Sequence, residues 1–384
     1  MAKTTSLPVL MYHYISRYPN SIAVSPDLFA EHCETLTQNG WRGVSLAEAE
    51  KYLLHGEPLP PKSCLITFDD GYLDNYVYAW PILQKYGHCG VIFAVSGRIG
   101  NLEDALRPTI ADVWNGTIDA ENLPRVDSPF VPHENGYEVR RDLFMNWREA
   151  REMEKSGVMA VASHTLAHQG VFINDDYKGF FLPEREGRTF HNPEPFFWGL
   201  PKFVMGPGMI ERAFLIDPDL AEKIKELVPQ DEKSAYAFAS NEKNMNALRD
   251  LVSAWKTLGR METDDEMANR TRHELVYGKK VLEDGLGHEG ISHCWPWGAY
   301  NEFSLSIARE AGFRVLFTTA MGANPPGSPL CVHRFKAKAN SASWLKNRVR
   351  LYAHPLLATL YAKSQMRSPV KKGTRKAFVI RQQR

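Results

Sequence analysis

Asp69 and Asp70 stand side by side, after the apolar, β-rich run Cys64–Phe68 and before Gly71. Successive side chains of a strand point to opposite faces, so adjacent acids at its end aim in different directions. One can ligate a cation while the other stays free as a base. His164 and His168 lie four apart, just beyond a second apolar run, Val158–Ala162. Two imidazoles and one carboxylate make the open three-ligand set of a catalytic zinc-type centre, which leaves a position for water. Each piece alone has a plainer reading. Asp-Asp-Gly after a strand is commonly a turn with a helix cap, and a His-x-x-x-His pair is commonly surface or core histidine. What favours chemistry is their combination with a third strand-like run that ends in Trp295-Pro-Trp-Gly298.

Such groups need a frame. Leu7–Ile15 reads as a first strand, followed by a helix from about Pro26 to Gln38 and a short strand at Trp41–Val44. Ser45-Leu-Ala-Glu48 is a capping box that opens a helix to about Leu54. After the Cys64–Phe68 strand, a helix near Asp74–Tyr86 ends at Gly87, and Pro81 kinks it or splits off its first turn. Val91–Val95 is a strand, Asn146–Glu149 caps a helix to Ser156, and Gly157 closes it. Thr263–Glu266 opens one long helix to about Asp284. Gly290–Trp295 is a strand, Glu302–Ala311 a helix, and Val315–Thr319 and Leu330–Phe335 the last strands. Alternating strands and helices imply a parallel sheet with right-handed crossovers. The chemistry then falls at strand C-termini, where barrel enzymes place their sites.

Thr67-Phe-Asp-Asp-Gly71 and His164-Thr-Leu-Ala-His168 resemble the first two signature motifs of the polysaccharide deacetylases of carbohydrate esterase family 4, complete at the chemical positions. The resemblance covers residues 7–98, 145–168 and 264–335. It implies an α/β fold, a distorted (β/α)7-type barrel within residues 1–342, and hydrolysis of the acetamide of an N-acetylated glycan. It assigns Asp70, His164 and His168 to the metal and Asp69 to the general base. It gives the backbone N–H of Trp297 to the oxyanion, and Trp295 and Trp297 also become candidates for lining the sugar site. Neutral imidazoles with one anionic ligand suit Zn, with Ni, Co or Fe as alternatives. The opening Met11-Tyr-His-Tyr14 looks like the subgroup with permuted motif order, which makes His13 the leading candidate for the general acid and His333 the runner-up. Two positions depart from the pattern. Ser292 stands where the third motif usually has arginine, so Arg334 becomes the candidate to orient Asp69, and no clear late Leu-x-His motif is present. Two other readings stay open: an amidase of small non-carbohydrate C–N bonds, and a non-catalytic carbohydrate-binding or membrane-docking protein. Asp69 weighs against the last, because a binding module has no need of a free base beside a metal triad.

The 384 residues are 43% hydrophobic, enough for a sizeable core. A formal net charge of +1 argues against a dedicated nucleic-acid binder. Segments 98–144 and 169–262 break the strand–helix alternation and read as insertions. The second, rich in aromatics from Phe180 to Phe203, is either a packed satellite or a lid over the site. From Arg334 to Arg384 there are fourteen Lys or Arg and no Asp or Glu. Within the tail, residues 343–384, the part Ser343–Arg367 spaces its apolar residues as one basic amphipathic helix. Such a helix suits an anionic membrane surface, or equally a place against the barrel. Met1–Tyr14 has no apolar leader region, and the five cysteines are odd in number and sit mostly in strand-like runs. The expectation is a cytoplasmic protein, peripheral on the membrane, acting on a lipid- or nucleotide-linked glycan precursor, with a polymer as the alternative substrate. Oligomeric state is left open.

Overall fold

The computed structural model describes residues 4–18, 20–126, 130–133, 136–139, 142–183 and 195–367. Its centre is one curled sheet of β1 (Val9–Tyr12), β2 (Arg42–Gly43), β3 (Ser63–Asp70), β4 (Gly90–Ala94), β5 (Met159–Ser163), β6 (Ser292–Cys294), β7 (Val315–Phe317) and β8 (Phe335–Lys336). The order is β7-β6-β5-β4-β3-β1-β8, with β2 beside the start of β3. Every pairing in it is parallel. A parallel bridge from Phe317 to Val332 joins the β7 edge to the segment leading into β8, so the curl meets itself. The expected barrel of about seven strands is thus the observed architecture.

β3 shows why these segments are strands. All eight of its residues are buried, as expected where a parallel strand is covered on both faces. Leu65, Val91, Phe93, Phe317 and Val332 fill the inside of the curl. Their neighbours Ile66, Phe68 and Ile92 face outward under the helices, including Pro26–Gln38. The Ser45 and Asn146 capping boxes form as the sequence implies. The segment before Gly87 is split as Pro81 requires: a wide turn at Asn75–Ala79 precedes the helix Trp80–Tyr86.

Three expectations need correction. The helix opened by Thr263 is not continuous. It runs Asp264–Arg272, widens at His273–Tyr277 and resumes as Gly278–Leu286. The widening frees the Glu274 carbonyl, which accepts from Leu166 N at 3.1 Å. At Gly278 a Cβ would lie 2.8 Å from that same nitrogen, so only glycine permits the approach. The last expected strand shrinks to the Val332 bridge and β8. The tail forms two helices, Ala342–Tyr352 and Pro355–Arg367, because Pro355 cannot continue the first. Leu345, Val349 and Tyr352 pack into the barrel's outer core, whereas Leu356, Leu357 and Leu360 are 70%, 50% and 64% exposed. Residues 368–384 lie outside the described residues.

The 169–262 insertion has its own core. Phe180, Phe181, Phe197, Trp198 and Phe203 are buried in it with Leu220, Ile224 and Leu248, and Phe196 packs at its edge. Phe190 lies outside the described residues. All five cysteines are free thiols. Among the described residues no helix is long and apolar enough to cross a membrane.

Candidate active site

Alternation along β3 places Thr67 and Asp69 inside the curl, and the structure puts Arg334 against both. The guanidinium donates to Asp69 in a fork, Nη1 to Oδ1 at 2.6 Å and Nη2 to Oδ2 at 2.9 Å. Its remaining contacts are Thr318 O at 3.0 Å, Thr67 Oγ1 at 3.2 Å and Cys294 Sγ at 2.9 Å. It also lies 5.5 Å from the Phe93 ring. Both charged groups are almost fully buried. Burial alone would raise the Asp69 carboxyl, but the Arg334 charge outweighs it and holds the group at about 2. Asp69 is therefore ionised, fixed in orientation and a weak proton acceptor at rest. Ser292 is engaged elsewhere, with its hydroxyl 2.7 Å from Glu50.

Simple alternation would turn Asp70 away from this interior. Its backbone instead adopts φ 78°, followed by Gly71 at 84°. Left-handed geometry recurs at Thr165, His168 and Trp297, so among the described residues four of the five non-glycine residues with positive φ are at this site. Strain of this kind persists where surrounding structure over-determines it. The result is that Asp70 Oδ1 lies 3.7 Å from His164 Nε2 and 3.8 Å from His168 Nε2. Tetrahedral ligands about 2.1 Å from a cation are themselves about 3.4 Å apart, so these three atoms fit one divalent ion with only a small contraction. His164 Nδ1 lies 2.7 Å from the Cys294 carbonyl, which fixes that nitrogen as the donor and leaves Nε2 as the ligand. Burial first, then the charge of Asp69, pushes the Asp70 carboxyl up to about 7. A cation would restore its ionisation, and the donor set is therefore one that fits a metal.

Residues 56–180 match the sequence profile of the family described as Polysaccharide deacetylase, and both chemical motifs lie inside that stretch. That stretch of the chain carries the sequence pattern of this family. It is 42% identical over 99 residues to YxkH of Bacillus subtilis (strain 168), a protein assigned provisionally to the polysaccharide deacetylases. That match spans 26% of this chain and 35% of YxkH. It is 29% identical over 170 residues to the poly-beta-1,6-N-acetyl-D-glucosamine N-deacetylase of Escherichia coli (strain K12), spanning 44% of this chain and 21% of that protein. The matches thus span about a third and a fifth of the lengths of these relatives. In fold, the chain resembles a de-N-acetylase from Aggregatibacter actinomycetemcomitans, with a TM-score of 0.57 at 21% identity over 89% of this chain and 99% of that one.

His13 Nε2 lies 3.8 Å from Asp69 Oδ2. Burial lowers the His13 pKa to about 4, against an opposing pull from Asp69, so the ring is neutral near pH 7. The Trp297 ring centroid is 4.3 Å from that of His168. His13, Asp69, Asp70, His164, His168, Trp297 and Arg334 are thus brought together. His333 is not. Its ring fills the space a Cβ would need at Gly322. Trp295 is also misplaced by the sequence reading: it is fully buried, stacked on Tyr300 with centroids 5.5 Å apart.

Three contributors escaped sequence reasoning. Glu274 Oε2 accepts from Ala167 N at 3.0 Å, so this residue braces the turn between the two histidines with both carbonyl and carboxylate. Cys294 contacts Arg334 through sulfur and His164 through its carbonyl. Tyr72 stacks on Tyr14 at 4.0 Å and hydrogen-bonds Asp70. Only Tyr72 had a local signal, being two residues beyond Asp70.

Proposed function

We propose that the chain is a metal-dependent N-deacetylase of an N-acetylated polysaccharide, releasing acetate and leaving a free amine. The observation that carries the reading is the pairing of two carboxylates with opposite environments: Asp69 held ionised by Arg334, and Asp70 facing two histidines. Separate environments for neighbouring acids mark separate roles. Asp70, His164 and His168 would hold a divalent cation, zinc being the metal that suits this donor set, and it would supply Lewis-acid charge to the acetamide oxygen and the attacking water. Asp69 takes a proton from that water as its oxygen bonds to the carbonyl carbon. The backbone N–H of Trp297 is the candidate donor to the developing oxyanion. As the C–N bond breaks, the amine nitrogen needs a proton. His13 is neutral at rest, so it must acquire one during turnover. Asp69, 3.8 Å away, is the adjacent carrier for that proton.

The Escherichia coli relative's name supports a polymer of N-acetylglucosamine over a precursor as the substrate. The test is acetate release from N-acetylglucosamine oligomers, before and after chelation and zinc return. Release that survives complete chelation, or no release from the zinc-loaded protein, overturns the reading.

We also propose that the chain binds peripherally to an anionic membrane, the cytoplasmic leaflet being the one rich in such lipid. Exposed Leu356, Leu357 and Leu360 support this, followed in residues 368–384 by six Lys or Arg and no acid. Removing residues 368–384 and changing the three leucines to Ser should abolish salt-sensitive sedimentation with vesicles containing phosphatidylserine. Unchanged sedimentation excludes it.

A further inference from the structure

We propose that a cavity outside the catalytic cluster is a second sugar-binding site, taking one pyranose ring of the same polymer. The inference rests on the glycan reading above. The cavity measures about 230 Å³ and is walled by Tyr78 and Trp114, with Ile82 and Leu123 as an apolar floor and Arg17 and Asp27 at its mouth. Ligand pockets for drug-sized molecules run to about 300–1,000 Å³, so this one suits a single ring and not a chain segment. Trp114 is 45% exposed although it adjoins buried Ile82 and Leu123. Lys85 Nζ lies 4.7 Å from the centre of its ring. Arg17 and Asp27 pair at 2.8 Å, with side chains 57% and 80% exposed.

A pyranose carries an apolar C–H face and an edge of hydroxyls that both donate and accept. The cavity offers the complement: aromatic faces for the first, a guanidinium and a carboxylate for the second. An apolar peptide side chain would have no use for the charged pair. Position agrees as well. Arg17 is four residues beyond His13, so the two backbones are at most about 14 Å apart. Asp27 opens the first helix, which begins at the same end of the sheet as the catalytic cluster. A glycan of a few residues spans that distance.

Calorimetric titration of the full chain with the dimer and the pentamer of β-1,6-linked N-acetylglucosamine tests the site. The wild type should bind the pentamer more tightly than the dimer. Trp114→Ala should weaken pentamer binding about 3–10-fold, the scale of one aromatic contact, and leave dimer binding and melting temperature unchanged. Trp114→Phe should recover part of the loss, and Arg17→Ala, at an exposed side chain, should repeat it if the Ala variant folds poorly. Equal affinity of wild type and Trp114→Ala for the pentamer, or an equal loss for both lengths, overturns the second site. Acetate release measured on the same samples separates the two ideas. Length-dependent binding without acetate refutes the catalytic reading alone, and acetate release with no effect of Trp114 refutes the second site alone.

Discussion

The barrel interior and the core of the 169–262 insertion are both closely packed, but they are made of different things. The insertion packs aromatic and aliphatic side chains, with Phe203, Phe214 and Leu248 near its middle. The barrel interior begins the same way, with Leu65, Val91 and Phe93. Toward the strand C-termini it then changes to Thr67, Asp69, Arg334, Cys294 and His164, all nearly inaccessible. Burying a charge without a partner costs several kcal/mol, and a buried pair seldom stabilises a protein more than apolar residues of the same size would. The insertion core is explained by burial alone. The upper barrel is not, and its polar network with four left-handed non-glycine residues marks the place where stability has been exchanged for chemistry.

The contrast predicts different failures. Asp69→Asn preserves shape and removes the proton acceptor. Acetate release should fall by about 10²–10⁴-fold while metal content stays the same. Loss of metal on Asp69→Asn but not on Asp70→Asn would reverse the two roles. Arg334→Met leaves Asp69 buried without its counter-charge and should cost about 3–5 kcal/mol in denaturant unfolding. A loss below about 1 kcal/mol, the range of an exposed pair, would mean that water reaches the pair in solution. Leu248→Ala, at a fully buried position of the insertion, should cost about 2–5 kcal/mol by opening a cavity. Zinc affinity should not change. If it falls with stability, the insertion holds the metal loop and the two cores are not independent.

His13 joins the comparison through pH. Its folded pKa lies near 4, below the ordinary 6.5, because burial favours the neutral ring. The unfolded chain therefore binds a proton first as pH falls. Stability contributed by His13 is present above about 6.5 and is lost on descending toward 4, by roughly 2–3 kcal/mol for this partly exposed ring. His13→Gln should flatten the change in melting temperature between pH 7 and 4.5. An unchanged slope would place the ring in water.

The sequence made the strands legible wherever a run was apolar on both faces, and the caps legible at Ser45, Asn146 and Thr263, because these signals are local. Asp69, Asp70, His164 and His168 were legible for the same reason: each pair lies within one short segment. The contributions of Glu274 and Cys294 were not, since they depend on which strand lies beside which. Arg334 was legible as the candidate to orient Asp69 because Ser292 left that place open, but its two-pronged fork follows from β8 pairing with β1, next to β3. The tail misled because helical spacing was counted across Pro355. Trp295 misled because aromatic residues beside a motif serve the core as readily as a ligand.

The smallest expected effect sharpens the acid assignment. His13 and His333 are both histidines near strand ends and both have pKa values lowered by burial. Titration alone cannot separate them, and geometry can. His13 faces Asp69 at 3.8 Å, whereas the His333 ring fills the space beside Gly322. Its backbone is held by Asn324, whose Oδ1 accepts from His333 N at 2.7 Å and whose Nδ2 donates to His333 O at 2.8 Å. Those contacts need no imidazole. His333→Ala should therefore keep turnover within about 2-fold of wild type and cost no more than the 1–3 kcal/mol usual for trimming a packed side chain. His13→Ala should lower turnover with little change in substrate affinity, since a proton delivered to the leaving amine acts only in the transition state. Turnover on a short N-acetylglucosamine oligomer decides between them. If His333→Ala is inactive at full thermal stability and His13→Ala is normal, His333 is the acid, and the proton transfer from Asp69 to His13 is wrong.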